Sequence, residues 1–187
     1  MKFQLNQFSK KYELASYDIF LTSSYDDDMM DGCINFSDFT DLENGEIKYN
    51  IATINFFIFN NYNLEDILLL ADCVSSDLEY VANAYIAYSD DSGGIGSVAI
   101  IDEFRLTIDT KDLSEKIQII KYFLAKTIEK LQIIGTGTLL FMSKALILNL
   151  NKSDRVHLIN ELLDINAIPI YQDENDVVLA RNLDYAI

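Results

Sequence analysis

The sequence predicts a single α+β domain spanning residues 1–187, with a central, mostly antiparallel sheet flanked by helices. Three observations carry that expectation. The first third reads as β-rich runs separated by turn chemistry. From residue 63 onward, stretches of helical period alternate with β-branched apolar runs. Seven glycines and one proline in 187 residues, with half the chain hydrophobic and 12% aromatic, leave little room for long structureless segments.

Tyr17–Ser23 (YDIFLTS) is a strand, closed by an acidic turn from Tyr25 to Gly32. Cys33–Phe39 alternates apolar and polar residues, as a half-buried strand does. Asp41–Glu46 holds an Asn-Gly turn signal and leads into a buried strand over Lys48–Asn60. These three runs form an antiparallel meander. In Asn63–Ala87 the apolar residues recur at three- and four-residue steps, which places them on one helical face, with a break near Ser75-Ser76. Ser89–Ser97 is a loop and Val98–Ile108 a strand. Asp109–Gln132 is a helix: Asp109 or Thr110 can cap it, Lys126 and Lys130 favour its end, and Leu113, Ile117, Ile120, Leu124, Ile128 and Leu131 form its stripe. Ile133–Met142 is a buried strand and Ser153–Leu163 a helix. Ala167–Tyr171 and Val177–Leu183 close the chain as a hairpin around Asp173-Glu174-Asn175-Asp176.

The formal charge of −16 disfavours direct contact with nucleic-acid phosphates or anionic lipid heads. It fits either a solubilising shell or a negative surface that docks on a basic partner protein. Cys33 and Cys73 lack metal or redox spacing and read as small core residues. His157 is the only histidine, which excludes a multi-histidine metal site; among Val156, Leu158 and Ile159 it reads as helix packing. The first residues carry no apolar leader, and runs such as Ala145–Leu150 are too short to span a bilayer, so a cytoplasmic location is expected.

Two glycine motifs are weighed by context. Gln132-Ile133-Ile134-Gly135-Thr136-Gly137 matches the acyl-CoA pyrophosphate pattern letter for letter. That chemistry needs a strand before the loop and a helix N-terminus after it. Here the order is reversed, which favours small residues in a buried strand. Gly93-Gly94-Ile95-Gly96 reads as a turn. Asp26-Asp27-Asp28 with Asp31-Gly32 resembles a calcium-loop fragment but lacks the alternating ligands and terminal glutamate, so a solvated turn is expected.

From residue 63 on, the order of elements resembles the GNAT acetyltransferase fold. Ser76–Ala82, the strand carrying Ile101-Asp102-Glu103, and Asn166-Ala167-Ile168-Pro169-Ile170, which looks like a worn G-F-x-P-I ending, carry the resemblance. It implies acetyl-CoA as cofactor, Glu103 as general base, and Phe104, Leu106 and Thr107 on the strand that holds the pantetheine arm. The departures bear on activity. Where the family has R-G-x-G-x-G/A, this chain reads Thr107-Ile108-Asp109-Thr110-Lys111-Asp112-Leu113-Ser114-Glu115, without glycine and with carboxylates opposed by Lys111 and Lys116. Leu162 stands where the family's tyrosine acid often sits. Two functions follow: a catalytically degenerate member that binds a protein partner, a role in which mobile elements use such folds as inhibitors, or an acyltransferase with an atypical cofactor loop.

Overall fold

A computed structural model describes residues 16–24, 28–42, 45–60, 63–89, 97–107, 110, 112–174 and 176–183. Among the described residues a seven-stranded sheet forms in the order β1-β2-β3-β4-β5-β7-β6. Its strands are β1 (Ser16–Ser24), β2 (Met29–Leu42), β3 (Gly45–Phe59), β4 (Ser97–Leu106), β5 (Thr136–Met142), β6 (Ile168–Gln172) and β7 (Val177–Asn182). Neighbours are antiparallel except β4 and β5, which run parallel. The fold is α+β, as the sequence predicts.

The meander is longer than expected. β2 begins at Met29, so Asp31 and Gly32 are ladder residues opposite Thr22 and Leu21 of β1 and Phe57 and Phe56 of β3, not part of a turn. A Cβ on Gly32 would lie 2.2 Å from Phe56 Cε2. The glycine therefore marks an aromatic ring crossing a strand, not a metal loop. Residues 25–27, Glu43, Asn44 and the loop at 90–96 lie outside the described residues.

Helices α1 (Leu64–Val74) and α2 (Ser76–Tyr88) follow β3. The break falls at Ser75, whose hydroxyl accepts the Leu78 amide at 3.2 Å and caps α2; Asn63 caps α1 through the Glu65 amide at 3.1 Å. Helix α3 (Leu113–Ile133) begins later than expected. Its cap is Asp112, which accepts from Ser114 N at 2.9 Å, not Asp109 or Thr110. At its other end Gly135 takes φ 90°, the left-handed conformation that terminates helices. The strand expected from Ile133 consequently starts at Thr136, and Ile133 stays on the last helical turn, 76% exposed. A four-residue helix, α4 (Ser143–Leu146), follows β5, and α5 (Lys152–Leu163) is capped by Asn151.

Two apolar layers form, one on each face of the sheet. Ile34, Ile54, Phe56, Ile101 and Phe104 pack with Phe123 and Leu124 of α3 and Leu158 of α5. Phe36 and Phe123 approach to 4.8 Å between ring centroids. On the other face, Met29, Phe59, Ile100 and Leu140 meet Ile67 of α1 and Val81 of α2. The central strands are buried on both faces, which is why β5 is apolar without alternation. Each such fully buried Ile or Phe contributes about 1.5–3 kcal/mol. Among the described residues, no helix is long and apolar enough to cross a membrane.

Candidate functional site: a cleft between diverging strands

β4 and β5 pair from Ser97 opposite Thr136 to Ile101 opposite Phe141, and then they part. β4 continues along β3 as far as Leu106 opposite Ala52. The parting has two local causes. Asp102 is an extra residue between the Ile101–Phe56 and Glu103–Asn55 pairs, a bulge that bends its strand. On the β5 side the chain turns away into α4, which is pinned by Asp176 at the start of β7. One Asp176 oxygen accepts from the Ser143 hydroxyl, from Lys144 N at 3.3 Å and from Val177 N at 2.7 Å.

The result is a cleft of about 770 Å³, lined on the β4 side by residues 102–107 and on the other by Met142 and residues 144–148. Glu103, Phe104, Leu106 and Thr107, the residues singled out from sequence, all border it. Their side chains differ in what they offer. Phe104, 7% exposed, and Leu106 pack into the layer under α3, so they present mainly backbone to the cleft. Thr107 is exposed and its amide donates to Ile51 O at 2.9 Å, which ties the strand end to β3.

Two acid–base pairs already form in the cleft. Glu103 accepts from Arg105 Nε at 2.7 Å, and its second oxygen lies 3.4 Å from Asn55 Nδ2. Lys144 Nζ donates to Asp77 Oδ1 at 2.7 Å. Asp102 has its carboxyl raised above the ordinary value by partial desolvation, then by repulsion from Glu103 and Asp77, against the opposing pull of Arg105. The N-terminus of α3, where a phosphate would gain from free amides and the helix dipole, instead carries the Asp112 carboxylate on the Ser114 amide. Thr110 donates to Glu115 at 3.0 Å beside it. Lys116 lines the cleft; Asp109 and Lys111 lie outside the described residues.

Other expected candidates fall elsewhere. Gly135 ends α3 and Gly137 sits in β5, so the tempting glycine pair follows the negative end of a helix dipole and has no helix N-terminus to serve. Leu162 is wholly buried in the α5 core. His157 lies 3.5 Å from Ser114 Oγ, between α5 and α3. Cys73 is exposed, contrary to the expectation of a core residue, because it falls off the Ile67–Ala71 stripe of α1. Cys33 is half-buried, and desolvation raises its thiol. Among the described residues no group of three or more His, Cys, Asp or Glu is placed to hold a metal.

Sequence reasoning missed Asn55, Arg105 and Asp77, whose proximity to Glu103 and Lys144 depends on register and helix placement. It also missed Asp176, which reads as ordinary turn chemistry in its acidic hairpin. No family model matches the chain, and no curated protein matches it.

Proposed function

We propose that this chain is a GNAT-like protein that has lost acyl transfer and acts by binding a partner protein with a basic surface. The observation that carries the reading is Asp112. A carboxylate caps the helix where the pyrophosphate of acetyl-CoA would have to sit, and it takes the Ser114 amide such a phosphate would use. The absence of glycine from Thr107 to Glu115 supports the same reading, since a Cβ at every position keeps backbone amides from closing on a phosphate. So does Leu162, which brings no hydroxyl for a general acid and is enclosed in the core. A charge of −16 favours association with a basic surface and disfavours direct nucleic-acid binding. An inhibitor encoded by a mobile element, acting in the cytoplasm on a host nucleic-acid enzyme, is one role that such a protein would suit.

The parting of β4 from β5 favours a second reading, an acetyl-CoA-dependent N-acyltransferase with an atypical cofactor grip. In it Glu103, beside Asn55, serves as base, and residues 104–107 hold the pantetheine arm. Incubation with labelled acetyl-CoA and a panel of amines separates the two. The first reading expects no transferred label. Turnover in the wild type that vanishes in Glu103→Gln would overturn it in favour of the second.

A further inference from the structure

Past Ile101 the outer edge of β4 is a strand edge with a cleft beside it. Asp102–Leu106 pairs with β3 on one side, and among the described residues no strand pairs with the other. Five residues at about 3.3 Å each give an edge of roughly 17 Å. Alternate backbone groups along such an edge point outward and await partners. The opposite wall is largely apolar, with Met142 and Leu146 buried behind Leu148, which is 74% exposed. An unpaired strand edge facing an apolar wall is the setting for strand addition by an extended peptide.

Charge indicates what that peptide carries. Three acids, Asp77, Asp102 and Glu103, and three bases, Arg105, Lys116 and Lys144, line the cleft. Lys144 is paired with Asp77 and Arg105 with Glu103. Asp102 stands at the bulge, where a second depression continues past Asp31 and Phe20 with no basic residue in its lining. A cation placed there meets Asp102; Arg105, which also acts on that carboxylate, is already paired with Glu103.

We infer that the free edge of β4 receives an extended segment of the partner protein as an added strand, with a lysine or arginine of that segment set against Asp102. This rests on the reading above, that the cleft does not hold acyl-CoA. The backbone edge supplies affinity, Leu148 covers the segment's apolar side chains, and Asp102 fixes its direction along the cleft.

The test uses blocked ten-residue peptides alternating lysine with valine, titrated against the full chain and followed by fluorescence anisotropy and amide NMR shifts. Binding should move the amides of 102–106. N-methylation of the peptide at one of its two alternate sets of positions should weaken binding at least tenfold, while the other set is tolerated. A glutamate-for-lysine version should not bind. Asp102→Asn and Leu148→Arg, both at exposed positions and checked for an unchanged fold by circular dichroism, should each weaken binding threefold or more. The inference is overturned by no binding at millimolar peptide, by equal binding of both N-methylated sets, by equal binding of the acidic peptide, or by shifts confined to other strands. A parallel titration with acetyl-CoA keeps the two ideas apart. Peptide failure without acetyl-CoA binding removes strand addition alone, whereas acetyl-CoA binding that displaces the peptide removes the reading beneath it.

Discussion

Asp176 holds three donors with one carboxylate oxygen while being only 4% exposed, and its other oxygen is buried without a hydrogen-bond partner. That arrangement fixes α4 against β7 and thereby sets one wall of the cleft. Asp176→Ala leaves the Ser143 hydroxyl and two amides unsatisfied, so it should lower unfolding free energy by about 2 kcal/mol in urea titration. A change under a few tenths of a kcal/mol would contradict the assigned role. Gly32→Ala should cost about 1–3 kcal/mol, because the added Cβ collides with the fully buried Phe56 ring. The Glu161 carboxyl is held below its ordinary value by the Gln118 amide at 2.7 Å, against partial burial, with Lys121 at 3.1 Å adding to the effect. A lowered carboxyl stabilises the fold above its unfolded value of 4.5 and loses that contribution as pH falls through the lower folded one. Thermal melts from pH 6 to about pH 3 should therefore fall less steeply in Glu161→Gln than in the wild type. At this scale, Glu103 was legible because its strand was recognisable. Asn55 and Arg105 were not visible as its partners, since a bulge at Asp102 decides which side chains meet.

Most elements could be read from periodicity and turn chemistry, and the misplaced boundaries have identifiable causes. Asp109, Thr110 and Asp112 are all good cap residues, so propensity could not choose among them; the structure uses Asp112. Ile133 and Ile134 look like the start of a strand because they are β-branched, yet the stop signal was Gly135, two residues beyond the helix. The short helix α4 gave no signal, since four residues show no period and its cap comes from Asp176, 33 residues away. Asp112→Ala should destabilise the protein by about 1 kcal/mol through loss of the α3 cap. If it also created measurable acetyl-CoA affinity, the cap would be confirmed as what closes the site to phosphate.

For the molecule as a whole, the sheet order and the mixed fold class follow from how each apolar run is covered. Strands β4, β5 and β7 need helices on both faces; α1 and α2 cover one face, and α3 and α5 cover the other. The cleft is a consequence of that plan at the one place where the parallel pair is interrupted. What it accepts depends on charge and backbone, neither of which a motif describes. Isothermal titration of the intact chain with acetyl-CoA tests the central claim most directly. The account predicts no detectable binding with ligand at millimolar concentration, and saturable binding at micromolar affinity would contradict it.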